Sequence, residues 1–329
     1  MSTGYDESDV RVRPGRGSRP RSKIRPAHDD AVPAIVVAVD RGRYTCLLSA
    51  GDQGVTAMRA RELGRKSVVV GDRVGLVGDV SGRAGALARI VRLDERTTVL
   101  RRTADDDDPV ERVVVANADQ LVIVTSVAEP EPRPRLIDRC LVAAYDAGLE
   151  PLLCVTKTDL GDSSSLLATY SALGVATVTT ARSANLDALT ERLAGRWSVL
   201  VGHSGVGKST LVNALVPGAE RATGQVNVVT GRGRHTSTSA VALPLPSGGW
   251  VIDTPGIRSF GLAHVDPRHL VHAFPDLVRE TKDCPRGCTH AAGEPECALD
   301  VAVDAGRIER ARVDSFRRLL ASRERQAGD

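Results

Sequence analysis

Aromatic side chains are scarce: three Phe, four Tyr and two Trp make up 3% of 329 residues. A protein that stacks nucleic-acid bases on a row of aromatics needs more of them. Lysine is rarer still beside arginine. Only Lys23, Lys66, Lys157, Lys208 and Lys282 are lysine among 44 basic residues. No stretch approaches the roughly 18 unbroken apolar residues that cross a bilayer. The first 30 residues lack the apolar core of a secretory signal. These absences exclude an integral membrane protein and argue against export. The net charge is only +3, so the whole chain is not a simple polyanion binder. Six cysteines are too unevenly placed for a disulfide framework. Cys46, Cys140 and Cys154 are scattered, and such residues are usually small buried hydrophobes. That usage points to the cytosol.

What is present divides the chain. Residues 1–30 are rich in Arg, Pro, Gly, Ser and Asp, with six Arg, one Lys and no acid between 10 and 27. Such a segment buries too little apolar surface to offset its ordering entropy, so it reads as a disordered basic tail. It is either a solubilising tail or an arm for nucleic-acid phosphates. From 31 to 101 come short β-rich runs at 34–39, 44–48, 67–70, 73–77 and 86–91, separated by Gly-containing turns. Five short strands in so few residues suit a small barrel of the OB-fold type. With Tyr44 its one aromatic, this barrel would bind RNA through backbone charge rather than stacking. Four consecutive Asp at 105–108 read as a solvated linker. An α/β domain follows over 112–276. Its strands are expected at 120–126, 152–156, 175–179, 198–201 and 250–253, with helices at 135–147, 186–193 and 209–215. Residues 277–329 form a small, mostly helical domain ending in a helix at 308–323.

The sharpest signal is Gly202-His203-Ser204-Gly205-Val206-Gly207-Lys208-Ser209, followed by Thr210. A strand before it and a helix after it make this a phosphate loop. Its glycines let successive N–H groups surround phosphate oxygens, and the helix N-terminus adds positive potential. Lys208 reaches the β- and γ-phosphates and Ser209 ligates Mg²⁺. His203 is expected to face solvent. Asp253-Thr254-Pro255-Gly256 leaves the 250–253 strand. Asp253 suits the outer side of the Mg²⁺ site, and the Gly256 N–H the γ-phosphate. Thr156-Lys157-Thr158-Asp159 follows another strand. The Asp159 carboxylate accepts from guanine N1–H and its exocyclic amine, a donor pair that adenine lacks. The Lys157 stem can cover the base plane, and Thr180-Ala181 can offer a backbone N–H to guanine O6. The guanine-reading motif precedes the phosphate loop, the reverse of most guanine-nucleotide switches. A site needs spatial convergence rather than chain order, so the domain reads as circularly permuted.

Near the C-terminus Cys284, Cys288, His290 and Cys297 offer three thiolates and an imidazole. Four protein ligands close a tetrahedral zinc site and leave no open position, which assigns a structural Zn²⁺. The small polar domain around them needs such a staple to fold.

Taken with Val70-Gly71-Asp72-Arg73-Val74, Ala116-Asn117-Ala118-Asp119-Gln120 and Gly233-Arg234-His235-Thr236, these motifs resemble the RsgA (YjeQ) family of ribosome small-subunit-dependent GTPases. The resemblance covers nearly all of the chain except 1–30. It implies an N-terminal OB-fold β-barrel, a central circularly permuted P-loop GTPase domain and a C-terminal zinc-binding domain. It also implies a partner, the 30S ribosomal subunit with its 16S rRNA, and a role in late maturation of that subunit with GTP hydrolysis stimulated by it. The protein is expected to be a cytoplasmic monomer cycling between GTP and GDP. Two departures stand out: Thr156 replaces the family's usual Asn, and the middle metal ligands sit one place earlier than in the family pattern.

Ile257 stands where many GTPases place a water-orienting Gln. An isoleucine cannot orient water, so intrinsic hydrolysis is expected to be slow. His235 is the catalytic candidate, and the resemblance supports it as part of a switch in which Thr236 or Thr238 ligates Mg²⁺. The glycine-rich stretch 224–234 suits a segment that orders around the γ-phosphate. Two other readings compete: a non-catalytic, GTP-gated RNA-binding protein, and an ATP-dependent factor, which Asp159 opposes.

Overall fold

The computed structural model describes residues 28–49, 51, 53–63, 68–103, 111–182, 184–219, 240–254 and 270–324. Five strands near the N-terminus close a barrel: β1 (Val32–Asp40), β2 (Arg43–Leu48), β3 (Gly54–Arg59), β4 (Arg73–Gly78) and β5 (Ala88–Leu93). They pair in the circular order β1-β2-β3-β5-β4, with β4 returning to β1. Alternate residues point inward, so Ala34, Val36, Cys46, Val55, Ala57, Val74, Leu76 and Ile90 fill the interior.

The third strand differs from the sequence expectation. It lies at Gly54–Arg59 rather than 67–70. Of the latter stretch, Val68 to Val70 is buried, but only Val70 pairs, in an isolated bridge to Val115. Two further strands, β6 (Val99–Thr103) and β7 (Glu111–Ala116), form an antiparallel pair flanking the acidic stretch.

The central sheet runs β10-β9-β8-β11-β13-β12 and continues into the barrel through β1. Its strands are β8 (Gln120–Ser126), β9 (Glu150–Thr156), β10 (Ala176–Thr179), β11 (Trp197–Val201), β12 (Val241–Pro244) and β13 (Trp250–Asp253). All neighbours in this part pair in parallel except β12 with β13. Every residue of β8 is buried, as a parallel strand covered on both faces requires. The link to the barrel depends on an irregularity in β1. Its register to β2 shifts between Val36 and Ala38. Val37, the extra residue, is buried with the core of the larger sheet, and Ala38 bridges Val241 of β12.

Helices α1 (Pro134–Asp146) and α2 (Ser164–Ser171) cover one face of the sheet. Helices α3 (Asp187–Leu193) and α4 (Lys208–Leu215) cover the other. Pro134 opens α1, where its missing N–H is no loss. Ile137, Cys140, Leu141 and Ala144 then form a helical stripe onto the sheet. Three C-terminal helices, α5 (Pro275–Glu280), α6 (Ala298–Asp304) and α7 (Arg310–Glu324), pack on the α1 side. Phe274 is the pivot there. Its ring meets Tyr145 of α1 at 5.0 Å and Phe316 of α7 at 5.5 Å, both edge-on. Cys46, Cys140 and Cys154 are buried thiols, and burial pushes each up to about 12.

Candidate nucleotide site and metal centre

The phosphate loop leaves β11 at the C-terminal edge of the sheet and enters α4 at Lys208. Two of its glycines are there for conformation and space. Gly207 sits at φ +93, a backbone region that β-carbons disfavour. A Cβ on Gly202 would stand 2.4 Å from the Val124 carbonyl oxygen. Nothing larger than glycine therefore lets the loop start so close to β8. Ser204, Gly205, Ser209 and Thr210 are exposed, Val206 is buried, and Gly202, Gly207 and Lys208 are half-buried. The Lys208 ammonium pairs with the carboxylate of Asp253 at the end of β13. The cation suited to phosphate and the anion suited to the metal side thus meet in one corner. Thr254 donates to the Leu200 carbonyl at 2.8 Å, which fastens that strand end to the base of the phosphate loop.

The guanine-motif residues arrive on β9. Thr156 is the last residue of that strand, and Lys157 turns the chain with φ +57. The Thr158 N–H donates to the Thr180 carbonyl at 3.3 Å, and the Thr180 N–H to the Val155 carbonyl at 2.8 Å. Asp159 is exposed and accepts from the Arg182 N–H at 3.3 Å. The 156–159 and 180–182 loops are therefore held side by side, next to the phosphate loop. The Thr156 hydroxyl makes that last connection, donating toward the Val206 carbonyl at 2.6 Å.

His203 does not face solvent as expected. It is half-buried, its Nδ1 lies 3.0 Å from the Ser204 carbonyl oxygen, and its Nε2 is buried with no hydrogen-bond partner among the described residues. His235, Thr236, Thr238 and Gly256 lie outside the described residues, as do Ile257, the 224–234 stretch, residues 1–27 and the four Asp at 105–108.

Sequence reading missed the turn between β8 and α1. The Glu129 carbonyl accepts from the Lys157 ammonium. A Cβ on Gly205 would lie 3.3 Å from Pro130 Cδ, so the proline covers the phosphate loop from outside. Ser126 fixes that turn by donating to the Pro130 carbonyl at 2.6 Å. A Glu-Pro-Glu-Pro-Arg-Pro run reads only as a loop, so no local signal gives it this place.

At the other end, the ligand atoms of Cys284, Cys288, His290 and Cys297 lie within 4.8 Å of one another. His290 Nδ1 is 3.5, 3.4 and 3.9 Å from the three sulfurs. This four-donor set could hold a tetrahedral metal ion. The Ala298 N–H donates to the Cys284 sulfur at 3.3 Å, a contact that favours a thiolate. Arg317 holds the backbone at His290, donating to its carbonyl at 3.1 Å while forking onto Asp300 at 2.7 and 2.7 Å.

With this geometry in view, comparisons with known proteins agree with one another. The model of the RsgA GTPase family matches residues 93–263. The small ribosomal subunit biogenesis GTPase RsgA of Chlorobaculum parvum is 39% identical over 269 residues, 79% of this chain and 86% of that protein. A crystal structure of YjeQ from Thermotoga maritima superposes with a TM-score of 0.68 and 28% identity, covering 89% of this chain and 99% of that one. The structure of YloQ, a circularly permuted GTPase, shares the fold with a TM-score of 0.66 over 93% of this chain and 100% of that one.

Proposed function

This chain belongs to the RsgA GTPase family, and from that premise we propose that it hydrolyses GTP while bound to the 30S ribosomal subunit, during late maturation of that subunit. One observation carries the reading. The phosphate loop, Asp253 and the 156–159 and 180–182 loops converge at one corner of the sheet, although the chain visits them in permuted order.

In this reading the base sits against Asp159, Thr158, Ala181 and the Lys157 stem. Its carboxylate partner selects guanine over adenine. The N–H groups of 202–210 surround the phosphates, with Lys208 toward the terminal one and Gly256 beyond it. Ser209 and a switch threonine, Thr236 or Thr238, would hold Mg²⁺, which when bound neutralises developing phosphate charge. His235 is the residue we assign to the attacking water, because isoleucine at 257 cannot orient it. The product is GDP with inorganic phosphate.

Domain roles follow: 31–101 and the basic tail on rRNA, 112–276 on nucleotide, and 277–329 as a zinc-stapled unit. The barrel supports an RNA role with an open groove of about 620 Å³. It is lined by Arg59, Arg61 and Arg89 against a single acid, Glu62, with Met58 and Leu87 exposed beside them. Phosphate contacts of that kind weaken as salt rises. We take the working form to be a monomer in the cytosol, where thiols stay reduced for zinc. No described helix is long and apolar enough to cross a membrane.

The deciding experiment is GTP turnover with and without purified 30S subunits, with ATP as control. We expect slow GTP turnover alone, at least tenfold stimulation by 30S, little turnover of ATP, and loss of stimulation in His235→Ala. GTP binding with no stimulated turnover would leave a nucleotide-gated RNA-binding protein instead.

A further inference from the structure

Thr156 stands where three chain segments meet. It is 5% exposed. Its hydroxyl oxygen lies 2.6 Å from the Val206 carbonyl in the phosphate loop and 3.1 Å from the Thr125 carbonyl on β8. Its own carbonyl accepts from the Val127 N–H at 3.0 Å. A Cβ on Gly207 would sit 3.8 Å from the same hydroxyl, so the phosphate loop passes it in van der Waals contact.

A threonine hydroxyl has one proton to donate. Among the described residues both acceptors within reach of that proton are protein carbonyls, and the shorter contact is to the phosphate loop. Nothing remains to donate to a base. We propose that Thr156 is a positioning residue: it clips the guanine loop to the phosphate loop and makes no contact with guanine. The inference rests on the guanine-nucleotide reading of this corner. Base recognition then falls to Asp159 and the backbone at 180–181, while Thr156 sets the distance between the base-binding and phosphate-binding halves.

The chemistry fixes the consequences. Without the hydroxyl, the buried Val206 carbonyl loses its donor. The two loops then separate, and every nucleotide spanning them binds less well, whatever its phosphate count. Guanine displays N7 and O6 as acceptors on its outer edge. With O6 assigned to the 181 N–H, a donor at 156 that read the base would read N7.

The test measures dissociation constants of the full chain for GTP, GDP, 7-deaza-GTP and ATP, in wild type, Thr156→Ser and Thr156→Val. We expect wild type to bind GTP and 7-deaza-GTP within about twofold, Ser to match wild type, and Val to lose about tenfold for GTP and GDP alike, as a single lost hydrogen bond to a buried carbonyl implies. A clear 7-deaza penalty in wild type that vanishes in Val would overturn the inference, because Thr156 would then read the base. Unchanged GTP and GDP affinity in Val would overturn it too. Should Val fold poorly, Thr156→Ala removes the same donor and is read in the same way. Equal binding of ATP and GTP by wild type would instead sink the guanine reading. The Val and Ala variants would still report the clip through their loss of both nucleotides.

Discussion

At the barrel end of the molecule, Asp72 is completely buried and its charge is saturated. Arg96 grips both carboxylate oxygens at 2.7 and 2.9 Å, and the Val69 N–H donates at 2.7 Å. Beside it, Asn117 donates to the Gly71 carbonyl at 2.8 Å and accepts from the Thr97 N–H at 2.8 Å. At the metal-centre end, Asp138 of α1 is equally hidden at 2% exposure, but its partner is looser. Arg318 of α7 reaches it at 3.1 and 3.4 Å, is itself one-third exposed, and lies over the Tyr170 ring at 5.4 Å. Burial holds the Asp138 carboxyl above its usual range, although Arg318 works against that. The first braces the barrel and is carried by Asn117 to the start of β8; the second ties α7 to α1 beside the sheet. A carboxylate with three short donors fixes one orientation. Two longer contacts from Arg318, with Tyr170 also beside the carboxylate, hold Asp138 less tightly. The contact at Asp72 is therefore the tighter of the two, and the one between α1 and α7 the looser.

The comparison breaks most visibly at Gly71. This residue lies at φ +88, and a Cβ there would stand 1.9 Å from the Ala116 carbonyl oxygen. Neither backbone can yield, because Gly71 N–H donates to Val36 and Ala116 N–H to Val70. Gly71→Val is expected to cost more than about 4 kcal/mol, read as loss of soluble protein or a collapsed thermal transition. A wild-type transition in this variant would show that the joint is soft. Next in size is Arg96→Leu, which strands a fully buried carboxylate. About 3–5 kcal/mol is expected, with hydrogen exchange rising across β1, β4 and the 68–72 segment and little changed around Cys284–Cys297. Asp72→Asn combined with Arg96→Leu should recover part of the loss, since no charge then remains buried.

The two joints also show where a sequence stops being readable. The 202–209 loop and Asp159 are legible as motifs because their chemistry is written in consecutive residues, and the fold sets their loops side by side. The cysteine and histidine cluster is legible for the same reason. The third barrel strand is not. Gly54–Arg59 alternates only two small apolar residues, Val55 and Ala57, inward. The triple valine at 68–70 carries a stronger β signal, yet it is spent on a buried connector ending in Asp72. The two-stranded β6–β7 pair is masked by its arginines, and β12 by its four-residue length. The joints are least legible of all. Asp138 and Arg318 stand 180 residues apart, and no spacing rule connects a carboxylate to an arginine that the fold alone brings near.

The smallest effect is expected at that distant pair, and its pH dependence is what separates it from Arg96. Arg318→Leu should cost about 2 kcal/mol at neutral pH, less than Arg96→Leu, since the lost contacts are long and the arginine partly solvated. The sign follows from the raised carboxyl of Asp138. An acid whose folded-state pKa exceeds its unfolded value is ionised at a cost, present in full above the folded pKa and relieved as pH falls through it. Removing Arg318 takes away the influence that opposes burial, so the carboxyl rises further and the relief begins at higher pH. The deficit of Arg318→Leu relative to wild type should therefore shrink as pH falls from neutral toward the raised range of this carboxyl, followed as hydrogen exchange of α7. Asp138→Asn in the same background should abolish that dependence. A deficit that stayed constant with pH would mean the buried carboxylate had found another donor, and the two joints would then differ in geometry only, not in slack.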